Sequence, residues 1–270
     1  MLKKALTIAG SDSGGGAGIQ ADLKTFQELE VFGMSALTAV TAQNTLGVHG
    51  IYPMTVEAVV SQIQAIGDDI GADALKTGML FNAEIIVAVS EMIKKYQWEN
   101  IVIDPVMIAK GGASLLQTEA TVALKKYLLP LAKVLTPNIP EAEVLTGMTI
   151  RTREQKQNAA KSLYELGVSH IIIKGGHDEV PTESTDLFYD GKEFYTFTSK
   201  RITTKNTHGT GCTFSAAITA ELAKGANVYD AVVTAKDFIQ AAIEDQFEIG
   251  HGHGPTNHGA YRKRKEKAYL

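Results

Sequence analysis

The chain has 270 residues, 44% of them hydrophobic and 21% charged, with a formal net charge of −4. That length buries a sizeable core, and the mildly acidic balance gives no reason to expect nucleic acid or an anionic membrane as partner. One cysteine, Cys212, excludes an internal disulfide framework and suits a reducing compartment. The first apolar run is too short for a signal peptide and no stretch approaches 18 apolar residues, so a cytoplasmic protein without a membrane span is expected.

Short apolar runs alternate with amphipathic segments, which predicts an α/β fold with a parallel sheet covered by helices. A first strand over Ala5–Ala9 ends in Gly10-Ser11-Asp12, and the glycine-rich Ser11–Gly18 leads into a helix over Ala17–Glu30. Gly16-Ala17-Gly18-Ile19-Gln20-Ala21 fits the loose dinucleotide fingerprint, but the next strand, Ala36–Thr41, runs into Gln43-Asn44 and lacks the acid that would hold a ribose. The loop also lacks the lysine of a P-loop, which leaves a turn that lets backbone approach a ligand. Asp22 falls about one turn into the helix, either as a solvated carboxylate or as a ligand contact.

A helix over Val56–Ile70 precedes a strand over Ala74–Thr77 ending in Lys76-Thr77-Gly78, with Met79 next. A helix over Ala83–Tyr96 leads to the strand Ile101–Asp104, closed by Asp104-Pro105, and Glu119–Leu129 reads as the following helix. The strand Val134–Thr136 ends in Thr136-Pro137-Asn138-Ile139-Pro140-Glu141, where Pro140 suits a first helical turn and Glu141 gains from the dipole there. Asp104 and Glu141 at neighbouring strand ends are either a helix cap plus a separate acid or a pair able to hold Mg²⁺, partly through water. After a helix over Arg153–Leu166, the strand His170–Lys174 puts Lys174 at its mouth, where an ammonium can meet a phosphate.

Asp190-Gly191 between two aromatic runs predicts an antiparallel hairpin over Ser184–Thr198, added late to the parallel sheet. In Thr207-His208-Gly209-Thr210-Gly211-Cys212 the glycines precede an apolar helix, Ser215–Ala223, expected to start directly after the cysteine. Backbone N–H groups at such a start suit an anion, and a thiol there would have its pKa lowered by the dipole. The bland alternative is a turn beside a structural cysteine. A last long helix is expected over Asp230–Gln246. His251, His253 and His258 read as a loop, since His-x-His without a cysteine partner is a weak zinc signal. The basic run Arg262-Lys263-Arg264-Lys265 reads as a solvated end. No linker or repeat divides the chain, so one domain over residues 1–270 is expected.

These segments together resemble the ribokinase-like superfamily and, within its vitamin kinases, the hydroxymethylpyrimidine/phosphomethylpyrimidine kinases. The resemblance rests on Ala9–Asp22, Thr41-Ala42-Gln43-Asn44-Thr45, Lys76-Thr77-Gly78-Met79-Leu80, Asp104-Pro105-Val106-Met107 and Thr207–Thr213, and covers nearly the whole chain. It implies a three-layer sandwich with a mostly parallel sheet and phosphoryl transfer from ATP to a hydroxymethylpyrimidine, then to its monophosphate. It further implies an anion hole made by Gly209, Thr210, Gly211 and Cys212, with Cys212 as general base where sugar kinases of the superfamily carry aspartate. Mg²⁺ would be held through Asp104 and Glu141, with Lys174, Asn138 and Thr207 near the phosphates. Gly10, Asp22, Gln43, Met79 and Val106 would face the pyrimidine, and a homodimer is implied. Pyridoxine or pyridoxal kinase activity is the neighbouring alternative, alone or in addition; a cysteine hydrolase using Cys212 with His208 and a non-catalytic vitamin-binding protein are more distant ones.

Overall fold

The computed structural model describes residues 1–107, 118–177, 182–246 and 248–268. In chain order these form β1 (Lys4–Asp12), α1 (Gly18–Glu28), β2 (Phe32–Asn44), β3 (Gly47–Pro53), α2 (Val56–Asp69), β4 (Ala74–Thr77), α3 (Ala83–Lys95), β5 (Ile101–Ile103) and α4 (Thr118–Ala123). Then come β6 (Val134–Leu135), α5 (Ile139–Thr146), α6 (Arg153–Glu165), β7 (His170–Ile173), β8 (Glu183–Tyr189), β9 (Phe194–Lys200), α7 (Thr210–Lys224), α8 (Val228–Glu244) and α9 (Ala260–Ala268).

One nine-stranded sheet carries the order β3-β2-β1-β4-β5-β6-β7-β8-β9. The pairs from β2 through β7 are parallel, while β3, β8 and β9 add antiparallel edges. Successive strand residues point to opposite faces, and the core divides accordingly. Leu6, Ile8, Leu75, Ile101 and Ile103 pack with α2, α3 and α6, whereas Ala5, Ala74, Val102, Val134 and Ile172 pack with α1, α7 and α8. This is the three-layer, mostly parallel arrangement expected.

Several segments depart from the sequence reading. β3 was not expected: two glycines and a terminal proline hide it, and it forms because β2 runs 13 residues and presents a long edge to pair with. The basic run Arg262–Lys265 is exposed, as expected, but it lies on helix α9, which buried Ala260 and Tyr261 and Arg262 reaching Glu28 (3.0 Å) dock onto the core. Helix α7 starts at Thr210, two residues before Cys212, which puts the thiol inside the first turn. The late hairpin appears as β8–β9, with Asp190 Oδ1 accepting from the N–H groups of Lys192 and Glu193 at 2.8 and 2.7 Å.

Candidate active site

The carboxyl ends of the parallel strands, with the starts of α1, α5 and α7, enclose a cleft of about 670 Å³. Ligands of open α/β sheets bind at this edge because the strand-end loops and helix N-termini face it. Gly10, Gln43, Met79, Val106, Asp104, Asn138, Glu141, Lys174, Thr207, Gly209, Thr210, Gly211 and Cys212 all line this cleft.

Two glycine-rich segments build its floor, and they interlock. Gly209 has φ +81°, and a Cβ there would overlap the Gly16 carbonyl oxygen, so both steric freedom and close approach demand glycine. A Cβ at Gly18 (φ +56°) would likewise overlap the Gly10 carbonyl. Gly209 N-caps α7 without a side-chain acceptor, so the N–H groups of Gly211 and Cys212 lack a carbonyl four residues back inside the helix. A Cβ built on Gly211 would lie 3.3 Å from Lys174 Nζ and 3.7 Å from Asp104 Oδ2. A cation and a carboxylate therefore stand directly beside an anion-attracting helix start.

The first glycine loop has a different task. Asp12 folds back over it and accepts from the N–H groups of Gly14 (2.8 Å), Gly16 (3.0 Å) and Ala17 (2.8 Å), and from His208 Nε2 (2.8 Å). Burial pushes the Asp12 carboxyl up, but these hydrogen bonds and the His208 ring outweigh it and hold it below the ordinary value. The N–H groups of Gly14, Gly16 and Ala17 are thus filled by the chain's own carboxylate and are not open to a phosphate.

Lys174 Nζ donates to Asp104 Oδ1 at 2.9 Å. Burial pulls the Lys174 ammonium down, yet Asp104 and Glu141 overcome it and keep it above the usual range. Asn138 and Glu141 form a capping box on α5: Asn138 Oδ1 accepts from Glu141 N at 2.9 Å and Glu141 Oε2 from Asn138 N at 2.8 Å. Burial pushes the Glu141 carboxyl to about 7, against the pull of Lys174. Among the described residues no group of three or more His, Cys, Asp or Glu side chains could hold a metal. Two hard carboxylates beside an anion-attracting helix start fit Mg²⁺, which keeps much of its water and takes only a few protein ligands.

Two expectations need correction. Asp22 does not reach the cleft. It is fully buried on α1, where Lys76 Nζ donates to both carboxylate oxygens (2.7 and 2.8 Å) and Thr7 Oγ1 donates at 2.6 Å. Its acceptors are used inside the core, which removes it from any direct role with substrate. Burial works against the Lys76 ammonium, but Asp22 in contact, with Cys212 and Asp104 adding, holds it above its ordinary value. The second correction is the thiol. Burial pushes Cys212 up to about 11, helped by Asp22 and Asp104, and outweighs the opposing pull of Lys76 and of a hydrogen bond from the Gly18 N–H. The helix start does not produce a thiolate here.

Several cleft groups escaped the sequence reading. Lys76 and Asp12 were visible only as polar strand ends, and His208 gains meaning only when Asp12, 196 positions away, packs against it. At the far end the cleft runs under β8–β9. There buried Asp186 accepts from Lys236 Nζ (2.6 Å) and from the Gly175 N–H (2.7 Å), near Lys200, Arg201, Ile239 and Gln240. No local motif announces that end.

A family model described as phosphomethylpyrimidine kinase matches residues 12–257. The chain is 56% identical over 262 residues to the hydroxymethylpyrimidine/phosphomethylpyrimidine kinase of Bacillus subtilis, covering 97% of each chain. It is 47% identical to the pyridoxine kinase of the same organism, over 98% of this chain and 99% of that one. Among solved structures, the ADP complex of Bacillus subtilis pyridoxal kinase superposes with a TM-score of 0.91 at 47% identity, over 97% of this chain and 99% of that one.

Proposed function

The chain belongs to the phosphomethylpyrimidine kinase family, and from that premise we propose that it phosphorylates a hydroxymethylated aminopyrimidine from ATP, and then the resulting monophosphate. The observation that carries the reading is the side-by-side placement of the α7 start, Lys174 and Asp104, in one cleft with Gln43, Met79 and Val106. The first group suits a phosphoryl group in transfer. The second offers apolar surface to a flat ring and an amide to its polar edge.

The N–H groups of Gly211 and Cys212 bind the oxygens of the transferring phosphoryl group, and Lys174 adds a point charge. Phosphoryl transfer has a loose transition state, so positioning and charge neutralisation dominate. Asp104 and Glu141 would hold Mg²⁺, which supplies further neutralisation on phosphate oxygens when bound. Asn138, whose Oδ1 is taken by its cap, keeps its amide nitrogen as a donor for the phosphates, and Thr207 lines the same cleft. Gly10 leaves room for the Met79 side chain, since a Cβ there would strike Met79 Cε. Cys212 accepts the hydroxyl proton in its thiolate form, a minor species at neutral pH that Lys76 favours from behind.

A second reading, pyridoxine or pyridoxal kinase activity, is supported by the 47% identical pyridoxine kinase and by the hydroxymethyl group on that flat ring. Gln43 favours the pyrimidine, because an amide pairs with an aminopyrimidine edge. An ADP-release assay over the hydroxymethylpyrimidine, its monophosphate, pyridoxine and pyridoxal decides between them. The higher kcat/KM is expected for the pyrimidine, and a clear preference for pyridoxine would reverse the order. The exposed Val40 and Tyr52, paired across β2 and β3 at the sheet edge, support a homodimer. No helix among the described residues is long and apolar enough to cross a membrane, and this chemistry fits the cytoplasm.

A further inference from the structure

We propose that His208 is a positioning residue that fixes which end of the Gln43 carboxamide meets the substrate ring, and so sets preference between aminopyrimidine and pyridine alcohols. It rests on the kinase reading above, with Gln43 as a ring-binding residue. His208 is the last residue before Gly209, and its backbone is pinned on both sides: its N–H donates to Gly254 O (3.0 Å) and its carbonyl accepts from Thr256 N (3.4 Å). Its ring lies over Gly16, where a Cβ would collide with His208 Cδ2. The ring therefore has one place to be.

The protons around it can be assigned one by one. Asp12 is ionised, since its two oxygens already accept three backbone N–H groups, so it can only accept from the ring. His208 Nε2, 2.8 Å from Asp12 Oδ2, must carry a proton and donate it. Gln43 Nε2 lies 3.3 Å from that same Nε2, which sets donor against donor. At the other end, Thr41 Oγ1 spends its single proton on Ser11 O at 2.8 Å, yet Gln43 Oε1 stands 3.2 Å from it, acceptor against acceptor. A half-turn of the carboxamide, whose two ends have the same shape, lets Nε2 donate to Thr41 Oγ1 and sets Oε1 beside the His208 Nε2–H, which Asp12 and Oε1 then share as a three-centre bond. Two independent neighbours thus demand the same orientation, with Oε1 toward His208 and Nε2 toward Thr41.

In that orientation Gln43 keeps one lone pair and one N–H for a ligand, in a fixed order: acceptor on the His208 side, donor on the Thr41 side. An aminopyrimidine edge carries an amino N–H next to a ring nitrogen acceptor and meets both. A pyridine alcohol without that adjacent pair gains less. Remove the His208 donor and Thr41 alone still favours that order, so the amide presents it less strictly.

The test compares kcat and KM for the hydroxymethylpyrimidine and for pyridoxine in wild type, His208→Phe, His208→Gln and Gly16→Ala. His208→Phe and Gly16→Ala should raise KM for the pyrimidine about tenfold or more, the size expected when one discriminating polar contact is lost. KM for pyridoxine should move less than about threefold, and His208→Gln, which restores a donor, should recover most of the loss. Equal KM changes for both alcohols, or a fall in kcat alone, would overturn the proposal. If wild type turns over neither alcohol, the kinase reading itself fails. Nitrogen-15 NMR of the His208 ring in wild type needs no variant to fold. A protonated Nε2 is expected, and an unprotonated Nε2 would overturn the assignment.

Discussion

At the residue scale, the surprise is the charge state of the one cysteine. A first-turn position favours a thiolate, but burial and two neighbouring carboxylates win and leave Cys212 protonated up to about pH 11. If Cys212 is the base, kcat/KM in wild type should climb as pH rises from 7 toward 10, because that parameter follows ionisation in the free enzyme. Cys212→Ala should lose the climb, with kcat lower by about 10²–10⁴-fold and little change in substrate affinity. A flat wild-type profile would remove the base role and leave a helix start that works through its N–H groups. Asp22 and Lys76 give a second prediction at this scale. Both side chains are fully buried, so Lys76→Met strands a carboxylate in the core and should cost about 3–5 kcal/mol of unfolding free energy. The Lys76→Met, Asp22→Leu double variant should recover much of that stability in urea titrations. A substrate-contacting Asp22 would instead show a kinetic defect with stability intact.

At the element scale, the start of α7 is held by a segment from the other end of the chain. The strap at residues 252–258 hydrogen-bonds Thr45, His208 and the C-terminal end of α8, and it buries His258, whose Nε2 lies 3.0 Å from Thr213 Oγ1. Burial, with Lys24 adding, lowers His258 to about 4 from an ordinary 6.5. Between those values the unfolded chain binds the proton and the folded chain resists it, so stability is full above about pH 6.5 and falls as pH drops toward 4. The difference amounts to about 3 kcal/mol at most. Urea midpoints at pH 7 and pH 4.5 should therefore diverge more in wild type than in His258→Gln; equal divergence would mean that the strap does not sense this proton. The same element shows where sequence reading stops. Three histidines and four glycines between 250 and 259 spell a loop, and a loop it is, but nothing local says that its last residues are buried against Thr213.

At the scale of the whole molecule, one sheet carries a core on each face. We propose that the chain is a single folding unit, and a single cooperative transition by circular dichroism and fluorescence is the expected outcome. Two separated transitions would divide it. The parallel strands and their covering helices were legible because their burial is continuous: Ile101–Ile103 and Ile171–Ile173 can only be interior strands, and Val56–Asp69 or Ala83–Lys95 only half-buried helices. β3 and α9 were not, because a glycine-interrupted edge strand and a highly charged terminal helix owe their existence to the partner surface each one docks on.

By itself, then, the sequence determined the alternation of strands and helices, the convergence of polar strand ends on one edge, and the positions that need glycine. These follow from local periodicity, turn chemistry and backbone sterics, which act over a few residues. Only the tertiary structure decided the states of the groups brought to that edge. Asp12 fills its own loop, Asp22 is spent on Lys76, and Cys212 keeps its proton. The reason is that desolvation and charge pairing depend on what surrounds a group in space. For Asp22, Asp104 and Cys212 those surroundings come from α1, β4, β5 and α7, segments up to 190 residues apart.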